Sequence, residues 1–324
     1  MPDDALMPDN MKVEQLDRII DAIVTGAPPP DDPELPALAR IAASLRDLPD
    51  EGFQKRLKSD LQRRAAMTTS AVAPIREGLR TVTPFIAVLN ASELIDFLKR
   101  TFNAEETSRH PHGPDGLVAG VKIGDSDLII MGGESVRGHE WIGAFHVYVP
   151  DCDATFKRAI EAGATSMGEP SDTVYGERAG FVTDASGNQW YIATHLGVTP
   201  ALHGLWTVTP FVHPTSAATY IDFLTRALGA KQLALYEHDG RVAYAAVRIG
   251  DAVLEMGEPH EPDPMSSSFY LHVEDCDAVY QSAIEAGATS LWPPTDQAWG
   301  DRTAGLVDPF GYQWMPATRL KDVR

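Results

Sequence analysis

TVTPF stands at residues 81–85 and again at residues 207–211, and this match is the first of an ordered series of repeats in the chain. Four further matches follow in the same order: IDFL, IGD, DCDA and EAGATS. The first copies begin at residues 95, 123, 151 and 161, and the second copies at 221, 249, 275 and 285. Ordered self-similarity of this kind indicates a duplicated structural unit. The chain therefore carries one fold twice, over residues 81–195 and 207–319.

Each copy divides again into two halves with the same order of elements. In the first half, residues 82–88 predict a strand and residues 91–101 an amphipathic helix. In the second half, residues 144–149 predict a strand and residues 152–162 a helix. Further strands follow the helix in both halves. The pattern predicts a strand–helix–strand–strand–strand (βαβββ) module that occurs four times.

Composition excludes several classes of partner. The chain has 324 residues, 44% of them hydrophobic, and a formal net charge of −19. Because phosphate binding depends on clustered Lys and Arg, this charge argues against nucleic acid and against an anionic membrane surface. No apolar run approaches the length of a membrane span, and the acidic N-terminus MPDDALMPDN is not a secretory signal. We expect a cytoplasmic protein with no nucleic-acid and no membrane partner.

The two cysteines agree with that compartment. Cys152 and Cys276 occupy matching places in the two copies. Two equivalent positions in separate copies seldom meet, so we expect no disulfide. A reducing cytoplasm is then the default location.

Residues 1–75 lie outside the repeat. Apolar side chains recur at helical spacing in residues 12–25 and 37–48, on either side of a Pro-rich break at 27–36. These amphipathic helices are too few to bury a core alone. We therefore expect them to pack on a domain or on another chain, which would allow a homo-oligomer.

Three segments follow from this pattern. The predicted domains are a helical N-terminal extension and linker at 1–75, a first repeat domain at 76–198 and a second at 203–324. The first segment contains none of the repeated stretches, and each of the other two contains one copy of them.

Further motifs carry a family resemblance. They are HVYV at 146–149, YGERAG at 175–180 with WGDRTA at 299–304, and DPFGYQW at 308–314. With the repeated stretches they resemble the vicinal-oxygen-chelate (glyoxalase/bleomycin resistance/dioxygenase) superfamily, and more narrowly its PhnB-like branch. The resemblance implies an α+β fold of tandem glyoxalase-like domains, each made of two paired βαβββ modules that form a curved mixed sheet. The concave face of such a sheet is a cleft for a small-molecule ligand.

The resemblance also implies positions for metal ligands, on the first and last strands of each module. By spacing they fall on Thr83, Ile129, Ala144, Tyr191, Thr209, Glu255, Ser268 and Met315. Of these only Glu255 is a good ligand, and one carboxylate does not hold a divalent ion against water. We therefore predict no metal site and no cofactor, with a divalent metal as the alternative.

Glu255 is the leading candidate for a catalytic residue. A carboxylate inside an apolar strand is costly unless it is paired, and a buried one can act as a general base. His213 and His272 are its candidate partners, and His146 is a candidate ligand-binding residue, because strand parity places all three on the cleft face. The alternatives are a salt bridge at the cleft rim for Glu255 and ordinary half-buried strand residues for the histidines.

The other candidate ligand-binding residues are aromatic or cationic. They are Trp299, Arg302, Tyr270, Phe211, Tyr175 and Arg178. An aromatic-lined cleft suits a planar or apolar ligand, although aromatic side chains also fill cores. Arg178 and Arg302 would clamp an anion or carbonyl, or else form structural ion pairs with acidic neighbours.

Three functions remain open. The leading hypothesis is a metal-independent protein that binds or sequesters a small molecule. The first alternative is a lyase or isomerase that uses Glu255 with His213 or His272 in the second copy. The second alternative is an assembly or regulatory protein that works through the N-terminal helices. Family membership alone does not choose among them, since one fold carries many chemistries.

Overall fold

The computed structural model describes residues 79–173, 176–197, 205–259 and 265–321. Ala73–Arg324 forms one compact unit. The helices predicted within residues 1–75, and any oligomer contact through them, lie outside the described residues. Within the described part, no helix is long and apolar enough to cross a membrane.

Four βαβββ modules follow one another along the chain, as predicted. Module 1 contains β1 (Val82–Val88), α1 (Ala91–Phe102), β2 (Glu105–His112), β3 (Gly116–Ile123) and β4 (Ser126–Gly132). Module 2 contains β5 (Ala144–Tyr148), α2 (Cys152–Glu161), β6 (Thr165–Asp172), β7 (Glu177–Thr183) and β8 (Gln189–His195). Module 3 contains β9 (Val208–Val212), α3 (Ala217–Leu228), β10 (Lys231–His238), β11 (Arg241–Ile249) and β12 (Ala252–Met256). Module 4 contains β13 (Ser268–His272), α4 (Cys276–Glu285), β14 (Thr289–Asp296), β15 (Asp301–Val307) and β16 (Gln313–Arg319).

Each eight-stranded sheet joins one module from each repeat. Sheet A has the strand order β14-β15-β16-β13-β1-β4-β3-β2, and sheet B has the order β10-β11-β12-β9-β5-β8-β7-β6. Antiparallel pairs join the modules, β1 with β13 in sheet A and β5 with β9 in sheet B. Two mixed sheets of paired βαβββ modules confirm the predicted fold class. The expectation that each repeat closes its own sheet is wrong, so the boundaries 76–198 and 203–324 divide the sequence repeats and not the sheets.

Each hydrophobic core is formed mainly by one repeat, whereas each sheet is formed by both repeats. The core of the first repeat contains Leu98 of α1, Phe156 of α2 and Trp190 of β8, and the core of the second contains Leu224 and Trp314. Modules that follow each other in sequence therefore share a core on their helix sides. Modules that are distant in sequence share the backbone hydrogen bonds of a sheet.

Helices α2 and α4 begin in the same way. The carboxylates of Asp151 and Asp275 accept the backbone N–H of the third residue on, at 2.9 and 3.0 Å, and so cap each helix. The next residues, Cys152 and Cys276, are buried and free, in agreement with the expectation of no disulfide. Burial raises the pKa of these thiols to about 11 and about 12, so both stay protonated and pack as small apolar side chains.

Candidate functional site

Glu255 is fully buried on the face of sheet B that points away from the helices, which the resemblance implies to be the concave face. Both of its carboxylate oxygens are hydrogen bonded. Oε1 accepts the hydroxyl of Tyr244 at 2.6 Å, and Oε2 lies 3.1 Å from Nδ1 of His146. Tyr244 comes from the adjacent strand β11, whereas His146 comes from β5 of the other repeat. The carboxylate inside the apolar strand AVLEM is therefore satisfied across the junction of modules 2 and 3.

A second carboxylate faces the other nitrogen of the same imidazole. Oε2 of Glu177 lies 3.5 Å from Nε2 of His146, and Oε1 of Glu177 accepts the hydroxyl of Tyr148 at 3.2 Å. The Tyr148 ring stacks on the imidazole with 4.4 Å between centroids. The contact with Glu177 is an ion pair and not a hydrogen bond, since Oε2 of Glu177 has no hydrogen-bond partner. We call His146, Glu177, Glu255, Tyr148 and Tyr244 the His146 cluster.

The charges of the cluster follow from its burial and its two carboxylates. Burial disfavours the charged imidazolium, but Glu255 and Glu177 outweigh it and raise the pKa of His146 to about 9. Burial and the same carboxylates raise the pKa of Tyr148 well above its usual range, so its phenol remains a hydrogen-bond donor. At neutral pH the cluster therefore holds an imidazolium between two carboxylates.

Aromatic side chains line the concave face of sheet B beside the cluster. The ring of Tyr191 lies 5.2 Å from that of Phe211 and 5.3 Å from that of Phe181, centroid to centroid, with edge-on geometry in both pairs. The Tyr191 hydroxyl lies 3.0 Å from Nε2 of His213. This wall offers apolar ring faces next to a charged, buried group, which is the composition of many small-molecule sites.

Sheet A carries different chemistry at the equivalent places. Tyr270 stands where sheet B has His146, Ile129 where it has Glu255, and Asp301 where it has Glu177. The Tyr270 hydroxyl donates to Asp301 at 3.0 Å. An apolar cluster covers the rest of this face: Tyr270, Met315 and Ala317, with Phe85, Ile129, Trp141 and Trp292 packed against them. The two concave faces are thus one ionic and one largely apolar.

The predicted site residues separate between these two faces. Glu255, His213, Phe211 and His146 lie on sheet B, whereas His272, Tyr270 and Trp299 belong to sheet A. Tyr175 lies outside the described residues. The imidazole that contacts Glu255 is that of His146, whereas His213 contacts Tyr191 and His272 belongs to sheet A. The expected pairing with His272 is therefore wrong, and the pairing with His213 stays a prediction. The physical reason is the exchange of modules between the repeats, which separates His272 from Glu255.

Arg178 and Arg302 do not reach either cleft. Each follows a residue that faces the cleft, Glu177 or Asp301, and alternation along a strand turns the next side chain to the helix side. Arg302 donates two hydrogen bonds to Asp277 of α4, at 2.6 and 2.8 Å, and Arg178 pairs in the same way with Asp153 of α2. The expected ligand clamp is therefore corrected to a structural ion pair between sheet and helix.

Replacing Arg302 should weaken folding and leave ligand binding unchanged. The Arg302 side chain is 14% exposed and that of Arg178 is 34% exposed. We expect Arg302→Met to lower the free energy of unfolding by about 2 kcal/mol, because charge-assisted hydrogen bonds are lost where solvent screens little. Arg178→Met should cost less, since its pair with Asp153 is more exposed and solvent screens it. Chemical denaturation measures both, and a loss of ligand affinity in either variant would contradict the assignment.

Glu177, Tyr148 and Tyr244 are site residues that the sequence analysis did not single out. Tyr148 shares strand parity with His146 in the motif HVYV, and Glu177 precedes Arg178 in the motif YGERAG. Parity applied to every polar side chain of these strands, and not only to histidines, would have selected the first two. Selecting Tyr244 would have required the pairing of β11 with β12 to be known.

Comparison with known proteins agrees with this architecture. The sequence matches the model of the Glyoxalase/Bleomycin resistance protein/Dioxygenase superfamily twice, over residues 80–192 and 214–315. The chain belongs to this superfamily. An uncharacterised protein of Mycobacterium tuberculosis (strain CDC 1551 / Oshkosh) is 33% identical over 140 residues, which are 39% of this chain and 82% of that protein.

Solved structures of superfamily type share the fold at low sequence identity. Glyoxalase I from Zea mays aligns with a TM-score of 0.58 and 14% identity, over 74% of this chain and 92% of that one. A putative dioxygenase from Bacillus subtilis aligns with a TM-score of 0.51 and 14% identity, over 74% and 85% of the two chains. At sequence identities this low, the similarity shows a shared fold and does not show a shared activity.

The residues at the superfamily's metal positions do not fit a divalent ion. On sheet B these positions hold Ala144, Tyr191, Thr209 and Glu255. Ala144, Tyr191 and Thr209 supply no carboxylate, imidazole or thiolate, and both oxygens of Glu255 already bond to Tyr244 and to His146. Among the described residues, no group of three or more His, Cys, Asp or Glu side chains is arranged to hold a metal.

Proposed function

We propose that this chain is a metal-independent small-molecule binding protein of the PhnB-like branch, with its ligand held on the concave face of sheet B. The observation that carries this proposal is the state of Glu255. The one carboxylate at the superfamily's metal positions is engaged on both oxygens by protein groups, with an imidazolium beside it. The protein itself thus supplies the positive charge that balances this carboxylate.

The surroundings of the cluster support a ligand with a ring or apolar body. Tyr191, Phe211 and Phe181 supply edge-on aromatic surfaces, and Tyr191 is itself oriented by hydrogen bonds to Gln189 and His213. Rigid aromatic walls bind planar groups at a low entropic cost. The polar cluster at the floor of the cleft would fix the orientation of such a ligand.

A lyase or isomerase is the second candidate, and the contact between Glu255 and His146 favours it. A carboxylate and an imidazolium 3.1 Å apart can act as general base and general acid in a proton transfer that needs no metal. Exchange of the carbon-bound hydrogens of hydroxyacetone for deuterium, catalysed by the protein in metal-free buffer, would favour this candidate over binding alone.

Metal analysis together with mass spectrometry tests the leading proposal. The purified protein should contain well under one equivalent of Zn, Ni, Mn or Fe, and a chelator should leave its Tm unchanged, because no metal affinity is linked to folding. Mass spectrometry of the denatured sample should detect a co-purified organic molecule. Stoichiometric metal that resists dialysis, with a Tm that falls on chelation, would refute metal independence.

A further inference from the structure

Four strands form the outer edges of the two sheets, and β10 differs from the other three. The edges are β2 and β14 in sheet A, and β6 and β10 in sheet B. Each carries one extra residue near its start, where the register with the neighbouring strand shifts: Thr107, Leu291, Met167 and Leu233. Further along, three of the edges contain proline: Pro111 in β2, Pro170 in β6, and Pro293 with Pro294 in β14. Proline has no N–H to donate and commonly blocks pairing at an edge, whereas β10 keeps a backbone donor at every residue.

The middle of β10 is exposed and apolar. Leu235 is 41% exposed and Tyr236 is 55% exposed. Within the described part of the chain β10 has a neighbouring strand on one side, β11, and residues 234–238 pair with it without a further extra residue on the β10 side. The outward N–H and C=O groups of such a strand are a template for another strand, and exposed apolar side chains beside them add contact area.

The side chains of β10 are complementary to a second copy of β10 that runs antiparallel. Residues opposite each other in an antiparallel pair lie on the same face of the sheet. Pairing about Leu235 sets Leu235 against Leu235 of the second copy, and sets the large Tyr236 against the small Ala234 on both sides of the axis. Pairing about Tyr236 would instead set Leu235 against the charged Glu237, so the first register is favoured.

The charges at the two ends of β10 favour the same arrangement. Lys231 begins the strand, whereas Glu237 and Asp239 lie at its other end, and all three are exposed. Antiparallel pairing brings Lys231 of each copy to the acidic end of the other copy, and parallel pairing would bring like charges together. Two-fold symmetric dimers are also the commonest homo-oligomers. A second copy of this chain is therefore the partner that fits this edge.

We propose that β10 is a docking surface for a second copy of this chain, which adds its own β10 antiparallel with the two-fold axis at Leu235. Backbone hydrogen bonds would then join sheet B of both copies into one continuous sheet and cover the Leu235 side chain. This inference goes beyond the proposed function, because it concerns the outer edge of sheet B and holds whether or not a ligand occupies a cleft.

Disulfide crosslinking of the full chain locates the axis. The two natural cysteines are buried, so a cysteine introduced at the edge reacts alone. In Leu235→Cys the two Cα atoms at the axis would lie about 5 Å apart, within disulfide range, and we expect a crosslinked dimer under mild oxidation. In His238→Cys the two Cα atoms would lie about 20 Å apart, since each residue adds about 3.4 Å on either side of the axis, and we expect no crosslink.

The matched control is Arg109→Cys, at the place on β2 that corresponds to Leu235 in the repeat. It is equally an edge position, but Pro111 follows it, and we expect no crosslink there. Crosslinking of His238→Cys or Arg109→Cys as efficient as that of Leu235→Cys, or no crosslinking of Leu235→Cys, would overturn the proposal.

Light scattering after size exclusion provides an independent test. At micromolar concentration the wild type should have twice the mass of one chain. Leu235→Lys should weaken the dimer by about tenfold or more, because it sets two ammonium groups against each other at the axis, whereas Leu235→Val should remain a dimer. An unchanged circular dichroism spectrum would show that Leu235→Lys is folded. A monomeric wild type, or a dimer as tight in Leu235→Lys as in the wild type, would contradict the assignment, and the second result would locate the contact elsewhere in the chain.

Discussion

A cut in the peptide chain between residues 198 and 204 is expected to leave the two repeats bound to each other under native conditions. Both sheets contain strands of both repeats, since β1 is hydrogen bonded to β13 in sheet A and β5 to β9 in sheet B. Separation would expose the hydrogen-bonding edges of four strands that now lie inside sheets. Unpaired buried backbone groups are costly, so the cut chain should remain one particle.

A protease site inserted in this segment allows the test. Size-exclusion chromatography with light scattering should give the same mass before and after cleavage, and the two fragments should separate only in denaturant. As a companion measurement, repeat 76–198 expressed alone keeps the pairs β1–β4 and β5–β8 but leaves the other edge of β1 and of β5 unpaired. It should therefore form a dimer in which β1 of one copy pairs with β5 of the other. Separation of the cut repeats in native buffer would show that each repeat is an independent domain.

The order of elements was predicted well where buried apolar side chains mark the element. The helix predicted at residues 152–162 is found at Cys152–Glu161, and the strand predicted at 144–149 is found at Ala144–Tyr148. Strand β2 was not located, because Glu105–His112 lies at the edge of sheet A and contains no buried residue. Hydrophobic periodicity has no signal where neither face of a strand is covered.

The pairing of modules could not be predicted from the same patterns. A module buries the same faces whether its first strand pairs with a module of its own repeat or of the other repeat. Burial patterns therefore leave both arrangements open, and only backbone pairing distinguishes them. The contact of His146 with Glu255, 109 residues apart, depends on that choice, and so the candidate site was placed in one repeat and not between the two.

Replacing His146 with leucine is expected to destabilise the protein strongly at neutral pH. The variant leaves Glu255 and Glu177 buried together without the imidazolium that separates their charges. Breaking a buried pair by removing one partner typically costs about 3–5 kcal/mol, because an uncompensated charge remains. Chemical denaturation of the wild type and of His146→Leu at pH 7 measures this loss. Equal stability would mean that the imidazolium does not hold the cluster together.

The double variant His146→Leu/Glu255→Ile tests the physical cause. It places at position 255 the residue that sheet A carries at Ile129, and it removes one of the two unbalanced carboxylates. We expect it to recover at least half of the stability lost in His146→Leu. A purely steric effect of leucine predicts no recovery, because the carboxylate at 255 would then be irrelevant to the loss.

The pH dependence gives the second signature of the same charge. The pKa of His146 is raised from 6.5 to about 9 in the folded protein. Its contribution to folding is therefore complete below pH 6.5 and is lost as the pH rises through about 9. A shift of this size corresponds to roughly 3 kcal/mol. The wild type should have a higher free energy of unfolding than His146→Leu, and this difference should shrink by roughly 3 kcal/mol between pH 6.5 and pH 10. The control is Tyr270→Leu, at the equivalent place in sheet A. Its free energy of unfolding should differ from that of the wild type by a constant amount up to pH 9. A constant difference for His146→Leu as well would refute the buried imidazolium.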